Sequence, residues 1–238
     1  MNYHIRETSR YCEWIQSTSD QHTLTLIAPI LEILELSLDP HATLNTTLLG
    51  TIEADSIYTQ DPSPEVDAAW DIATAEGFEL LSITRLEALS LGFDPSVIVK
   101  APLDWDLGDD AYPVQINVFH QLHCLDEIRK QIFADYYYKP VFGDKYPPFH
   151  FAHKKHCIHI LQRALMCQAS VDIIPHYWRE GATRPRADFN PNGKCKDFEK
   201  LVEWNRENSV RDINKKWARI KRPSDAVVLP APTPRLYK

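Results

Sequence analysis

The chain has 238 residues, of which 44% are apolar and 25% are charged, and its formal net charge at neutral pH is -7. That length suits one large domain or two small ones, and the apolar fraction is enough for a buried core, which excludes global disorder. The negative charge and the lack of a sustained Lys/Arg run argue against nucleic acid as the main partner, since phosphate binding needs a concentrated cationic face.

The N-terminal part of the chain contains one apolar run, residues 23–38. It is shorter than the roughly 20 apolar residues that span a bilayer, and Glu32 and Glu35 interrupt it. We therefore expect no transmembrane segment in this chain. A place in the secretory-pathway lumen or a vesicle follows if the protein is exported, and the cytosol is the alternative. Asn45-Thr46-Thr47 is a glycosylation sequon that export would be needed to use.

Two helices are predicted before the middle of the chain. The first begins at Pro64, with Ser63 as its cap and Trp70 as a core anchor. The second begins near Thr84 and ends at Gly92, and its expected inward residues are Leu86, Leu89 and Leu91. The acidic stretch 101–112 reads as an ordered loop without EF-hand spacing. Alternating apolar residues then predict a short strand, with Val114, Ile116 and Val118 on one face.

The most informative feature is a repeated five-residue motif, H-x-x-H-C. It occurs as His120-Gln121-Leu122-His123-Cys124 and again as His153-Lys154-Lys155-His156-Cys157. With ten histidines and five cysteines in the chain, chance predicts roughly 0.01 occurrences, so a duplicated motif is a strong signal. We call His120, His123, His153 and His156 the motif histidines.

Each motif lies at the start of, or within, a predicted helix. The first helix runs from His120 to about Phe133, and the second from about Pro148 to Cys167. Their expected apolar faces are Leu122, Leu125, Ile128 and Ile132 on the first, and Ile160, Leu161, Ala164 and Leu165 on the second. Histidines three residues apart share a helix face, so two such helices can direct four imidazoles at one ion.

The fold class predicted is therefore mainly α: a compact helical domain with a few short strands, in which two histidine-bearing helices pack around a metal site. We expect an N-terminal segment at 1–54, the metal-binding domain at 55–221 and a proline-rich tail at 222–238. A further helical stretch is expected after Cys195, to about Lys216.

Cys124, Cys157, Cys167 and Cys195 are expected to form two disulfides, which leaves Cys12 over. Cys124 lies about 100° around its helix from His123 and so is not expected on the ligand face. Placed alike on two packed helices, Cys124 and Cys157 can bond to each other, and Cys167 can pair with Cys195. Cysteine ligation of the metal is the alternative, and it would suit a reducing compartment.

Other histidines and aromatic residues are weaker candidates for the site. His159 and His150 continue the three-residue spacing but drift off the ligand face. His176 could line a substrate pocket, although an aromatic clamp with Trp178 is the preferred interpretation. At most one or two of the consecutive tyrosines 136–138 can stack on a substrate, because they point in different directions.

Several segments of the chain resemble the fungal UstYa-like family of secondary-metabolite oxidases. They are the run 118–125, the second motif with residues 161–167, residues 195–198, and the segment 62–70 that leads into Trp70. The duplicated H-x-x-H-C is the most specific of these. The resemblance spans roughly residues 55–210.

This resemblance implies a copper-dependent oxidoreductase that uses O2 to modify a small-molecule or peptide natural product. The reactions it implies are oxidative cyclisation, hydroxylation, desaturation or halogenation. Carried over by position, the motif histidines are the expected catalytic copper ligands, for one ion or two. A homo-oligomer, or a hetero-oligomer with a related family member, is a further expectation.

The residues alone do not choose between copper and zinc, because neutral imidazoles bind both. The alternative function is a non-catalytic module in which structural zinc is held by the four histidines, or a partner subunit of a biosynthetic oxidase. A structural site is closed and four-coordinate, whereas a catalytic site keeps a position open. Hydrolysis at a zinc site lacks a base in an H-E-x-x-H arrangement, since Glu127 stands four residues past His123.

Overall fold

The computed structural model describes residues 44–47, 56–190 and 192–230. Helices dominate this part of the chain, which confirms the mainly α class. The helices are α1 (Pro64–Ala73), α2 (Arg85–Ser90), α3 (Asn117–Ile132), α4 (Ala134–Tyr137), α5 (Lys139–Phe142), α6 (Pro148–Gln168), α7 (Phe198–Asn208) and α8 (Ile213–Arg219). The strands are β1 (Leu44–Thr47), β2 (Leu80–Ile83), β3 (Tyr112–Gln115), β4 (His176–Tyr177), β5 (Arg186–Ala187) and β6 (Asn192–Cys195).

The strands form three small antiparallel pairs, β1 with β6, β2 with β3, and β4 with β5. In the central pair, Leu81 lies opposite Val114. The segment after α7 also joins β2, because the Val210 amide donates to the Leu80 carbonyl at 2.8 Å. This contact interrupts the helix predicted from Cys195 to Lys216, which is two helices, α7 and α8, separated at residues 209–212.

Helix α1 begins where its sequence predicts. The Ser63 hydroxyl accepts a hydrogen bond from the Val66 amide at 3.3 Å, and Pro64 occupies the first turn. Val66 and Trp70 are buried, as expected of an amphipathic helix on a core. Trp70 is therefore confirmed as a core residue.

The inward face predicted for α2 is wrong for Leu86 and Leu89, whereas Leu91 packs against the core as expected. The helix has only six residues, and Leu86 and Leu89 are 77% and 50% exposed. Ala88 is the buried residue, against Ile83 and Tyr112. A capping box between Thr84 and Glu87 fixes the residue at which the helix begins. The start of the helix therefore determines which residues face the core, independently of the positions of its leucines.

The strand predicted over Val114, Ile116 and Val118 is shorter than expected. Strand β3 ends at Gln115, and α3 begins at Asn117, three residues before the first motif. The period-two alternation therefore continued by coincidence into the first helical turn. The loop at 101–112 is ordered and contributes to the core, where Ala101, Trp105 and Ala111 pack with Val210 and Ile213.

Helices α3 and α6 have more contacts with each other than any other pair of described elements. The apolar faces predicted for them are buried only in part: Leu125, Ile132 and Leu165 are 44%, 75% and 69% exposed, whereas Leu122, Ile128, Ile160, Leu161 and Ala164 are half-buried. The buried residues of α6 are instead His150, Lys154 and Cys157. The two helices thus pack through polar side chains, and the reason is the network described below.

A buried arginine attaches α1 to this helix pair. The Arg129 guanidinium donates to Asp126 at 2.7 Å, to the Tyr137 hydroxyl at 2.7 Å and to Asp67 of α1 at 3.1 Å. The same guanidinium lies 5.4 Å from the centre of the Trp70 ring. With every partner within hydrogen-bonding distance, the charge can be accommodated in the interior.

Some sequence predictions lie outside the described residues: Cys12, the apolar run 23–38 and the end of the tail at 231–238. Asn45-Thr46-Thr47 lies in β1. Residues 222–230 form neither helix nor strand. None of the described helices is both long enough and apolar enough to span a bilayer.

Candidate metal centre

The four motif histidines come together between α3 and α6. Ring centres are 6.3 Å apart for His120 and His123, and 6.5 Å apart for His153 and His156, within each helix. Across the helices, His120 lies 5.8 Å from His156, and His123 lies 5.7 Å from His153. The rings therefore form a closed four-membered circle, which we call the histidine ring.

The histidine ring has the donor chemistry of a copper or zinc site but is wider than a closed one. A metal–nitrogen distance of about 2 Å in a tetrahedral site places imidazole centres about 5 Å apart. The observed separations exceed this by roughly 1 Å. Accordingly, no group of three or more His, Cys, Asp or Glu side chains in the described ranges is close enough to hold an ion as it stands.

Two of these histidines have lowered pKa values. Burial lowers the pKa of His120, and the nearby charges of the other three rings lower it further. Burial also lowers the pKa of His153, although the Glu127 carboxylate opposes the change. Both imidazoles are therefore neutral at neutral pH, the form that binds a metal ion.

A carboxylate from α3 lies behind the ring. Glu127 Oε2 is 3.7 Å from His153 Nδ1, which is too far for a hydrogen bond. Lys154 donates a short hydrogen bond to the same oxygen, and the Tyr138 hydroxyl donates to it at 3.3 Å. Lys154 also donates to the Tyr138 hydroxyl at 2.6 Å. We call Glu127, Lys154 and Tyr138 the carboxylate network.

The electrostatics of the carboxylate network keep Glu127 ionised. Burial alone would raise the pKa of Glu127, but the hydrogen bond and charge of Lys154, with His123 and His153, lower it overall. An ionised carboxylate beside a metal-binding imidazole is a common orienting arrangement. Sequence reasoning missed this role, and the available signal was the spacing: Glu127 stands four residues after His123, and Lys154 directly follows His153.

The two motif cysteines lie beneath the ring, both fully buried. Their thiols hydrogen-bond to each other, and Cys124 Sγ is 3.9 Å from His120 Nε2. Burial and this contact raise the pKa of Cys124 to about 12, and burial raises that of Cys157.

The predicted disulfides are not formed. Cys124 and Cys157 meet as predicted but as thiols that contact each other within the helix interface. Cys167 and Cys195 are also not bonded to each other: Cys167 is exposed at the end of α6, whereas Cys195 ends β6.

The weaker candidates lie away from the ring. His150 is a core histidine: its Nε2 is 2.6 Å from Gln131 Oε1, and its ring packs 4.5 Å from Tyr146. His159 is exposed on α6, and His176 is exposed in β4. The Tyr137 hydroxyl donates a hydrogen bond to Asp67, and the Tyr138 hydroxyl donates one to Glu127 in the carboxylate network.

A cavity of about 320 Å³ opens against the ring. It is lined by His120 and His123 on one side and by Glu76, Glu79, Gln115 and Trp217 on the other. A second cavity of about 170 Å³ shares Glu76 with it. Apart from the two histidines, none of these wall residues was predicted to lie at the site. The wall residues come from β2, β3, α8 and the turn after α1, all of which lie outside the two motifs.

Comparisons with known proteins show which family the sequence resembles. The family model described as mycotoxin biosynthesis protein UstYa matches residues 8–208. The chain is 38% identical to the UstYa family oxidase aprY of Aspergillus flavus, over 90% of this chain and 64% of that protein. It is 27% identical to the UstYa family oxidase phomYc of Diaporthe leptostromiformis, over 79% of this chain and 71% of the relative.

A relative with a different name also matches. The transacylase cctO of Talaromyces islandicus is 27% identical, over 83% of this chain and 66% of its own length. No solved structure matches. The chain spans about two thirds of the length of these curated relatives. Because the family model matches residues 8–208, which is most of the chain, the chain belongs to the UstYa family.

Proposed function

We propose that this protein is a copper-dependent oxidase that uses O2 to modify a fungal secondary metabolite, with copper held by the histidine ring. The observation that carries the proposal is the ring itself, four imidazoles from two packed helices. Related chains named as oxidases support the oxidative role. Copper supplies two accessible oxidation states when bound, which is what use of O2 requires.

The residues around the ring have definable tasks in this proposal. Neutral His120 and His153 offer a lone pair to the metal. Glu127 lies on the Nδ1 side of His153 and limits its rotation, while Lys154 keeps the carboxylate in place. A roughly 1 Å contraction of the ring is within the reach of small side-chain rotations, since α3 and α6 already fix the backbone.

The substrate is assigned to the cavity beside His120 and His123. A volume of about 320 Å³ is at the lower end for a small-molecule site and would hold one residue or ring of a natural product. Oxidative cyclisation, hydroxylation, desaturation or halogenation would each begin at a C–H bond presented to the ring from this side. Which of these four reactions takes place would depend on the substrate that the cavity holds.

Copper binding by matched variants tests the proposal. The full chain is loaded with Cu(II) and desalted, and copper content and the electron paramagnetic resonance spectrum are measured. We expect stoichiometric copper with nitrogen hyperfine structure, lost in His123→Ala and in His156→Ala, one from each helix. His159→Ala, an exposed histidine on α6, should retain it.

Full copper retention in both ring variants would contradict the assignment. Bound copper without a signal would indicate a coupled pair or Cu(I), still at the ring. Tightly held zinc that copper cannot displace would instead support the structural zinc module, because closed four-coordinate sites exchange slowly and keep no open position.

A further inference from the structure

Glu76 lines both cavities beside the histidine ring, so the two are neighbours on one side of the molecule. The larger also has Glu79 in its wall, and the smaller also has Asp71. Among the described residues that line the larger cavity, none is lysine or arginine. Arg206 is the one cation among those lining the smaller, against Asp71 and Glu76. The walls therefore carry a net negative charge.

The pKa of Glu76 is raised, which reflects the same excess of negative charge. Burial raises this pKa, and the neighbouring charges of Glu79 and Asp71 raise it further, against the opposing effects of His123 and Lys130. Carboxylates that destabilise one another in this way gain from a bound cation. Trp217, in the wall of the larger cavity, adds a ring face on which a cation or an apolar stem can lie.

Asn205 provides an independent observation in the smaller cavity. It is 1% exposed, and its Nδ2 donates to the Phe78 carbonyl at 2.8 Å, which fixes the orientation of the amide. Its Oδ1 has no hydrogen-bond partner among the described residues. An unsatisfied buried acceptor costs about 1–3 kcal/mol, so a donor from a ligand would be favoured there.

We propose that the two cavities are the substrate groove of the oxidase and select a substrate that bears a protonated amine or guanidinium group. Glu76 and Glu79 hold the cation, and Asn205, whose Oδ1 has no partner among the described residues, lies in the wall beside Glu76. The proposal rests on the proposed function for the fate of the substrate. The binding step itself needs neither copper nor turnover.

A pair of probes that differ only in charge tests this groove. The probes are acetyl-Ala-Arg-Ala-amide and the same peptide with citrulline, a neutral isostere of arginine, titrated to about 10 mM by ligand-observed NMR. We expect the arginine peptide to bind at least about tenfold more tightly, as a desolvated ion pair allows. In Glu76→Gln the preference should fall below about threefold.

Glu203→Gln is the matched control, since Glu203 is exposed on α7 and lines neither cavity. It should keep the wild-type preference. Equal or absent binding of the two peptides, or a preference that survives in Glu76→Gln, would overturn the proposal. So would loss of copper in Glu76→Gln, which would assign the carboxylate to the metal instead.

The outcomes separate the two proposals. Copper held by the histidine ring without charge selectivity would overturn the groove alone. Charge selectivity in a protein that holds no copper at the ring would leave the groove intact and overturn the oxidase assignment.

Discussion

Cys124 lies four residues after His120, and Cys157 lies four residues after His153. Four residues bring a helix round by a full turn plus about 40°, so each cysteine sits on the same face as the first histidine of its motif. The prediction from sequence used the angle between Cys124 and the adjacent His123, about 100°, and so expected the cysteine to lie off the ligand face. The H-x-x-H-C spacing thus predicts two histidines and one cysteine on a common face.

The buried thiols should resist modification in the folded protein. Cys124 and Cys157 are fully buried, and their pKa values are raised, so little reactive thiolate exists at neutral pH. Alkylation followed by mass spectrometry should leave both unlabelled in the native state. After unfolding without reductant, both should label. A requirement for reductant at these two positions would show a disulfide and contradict the structure.

His150 should make stability depend on pH. Burial lowers its pKa below the ordinary 6.5, with the charge of Lys154 acting the same way and Glu127 opposing. Below about pH 6.5 the unfolded chain therefore binds more protons than the folded one, and the free energy of unfolding falls as the pH falls. Below the folded-state pKa the free energy of unfolding stops falling, because His150 is then protonated in both states. Above about pH 6.5 His150 is neutral in both states, and the full stability is present.

The measurement is urea unfolding between about pH 7.5 and pH 5.5, a window in which one such group changes stability by at most about 1.4 kcal/mol per pH unit. His150→Gln should lose stability less steeply with acid than the wild type. His159→Gln, an exposed control on the same helix, should follow the wild-type slope. Identical slopes in all three proteins would exclude a role for His150.

Helices α3 and α6 place polar groups and thiols at the buried positions of their faces. The contacts across this interface include His153 with Glu127, Lys154 with Glu127, and the two thiols. Lys154 is only 6% exposed. The orientation of the helix pair therefore depends on buried charge.

Removing Lys154 should destabilise the protein strongly. Lys154→Met leaves the half-buried Glu127 without its cation. Breaking one side of a fully buried pair costs about 3–5 kcal/mol, and the partial exposure of Glu127 places the expected loss toward the lower end, about 3 kcal/mol. Lys155→Met, at an exposed position one residue on, should change the free energy of unfolding by less than about 0.5 kcal/mol. Urea denaturation measures both.

The double variant Glu127→Gln with Lys154→Met distinguishes charge from packing. It should recover part of the loss, because no unpaired carboxylate remains in the interface. A double variant no more stable than Lys154→Met, or equal losses at positions 154 and 155, would contradict the carboxylate network.

These helices also show what a sequence pattern can and cannot predict. Pro64, Pro148 and the capping residues Ser63 and Thr84 fixed helix starts, since caps act locally. The leucine and isoleucine spacing was a poor guide to burial: in α2 only Leu91 of the three predicted residues packs on the core, and the fully buried residues of α3 and α6 are not those of the predicted apolar faces. Hydrophobic periodicity identifies a face only when apolar burial holds the helix, and in α3 and α6 ionic and imidazole groups do so.

At the scale of the whole molecule, the duplicated motif was sufficient to predict that four histidines would meet. The cavity walls were beyond prediction because they combine residues about 140 positions apart, from Glu76 to Trp217. Their assembly depends on the β2 and β3 pairing and on the Val210 contact with Leu80. Long-range contacts of this kind leave no local signature in a sequence.

In the proposed site, imidazoles hold the copper and the thiols beneath them do not. The most direct measurement is the copper X-ray absorption spectrum of the loaded full chain, which distinguishes nitrogen from sulfur neighbours. We predict a nitrogen shell at about 2.0 Å with the outer-shell scattering of imidazole, and no sulfur at about 2.3 Å. A sulfur shell at that distance would assign the copper to cysteine and contradict its ligation by the imidazoles.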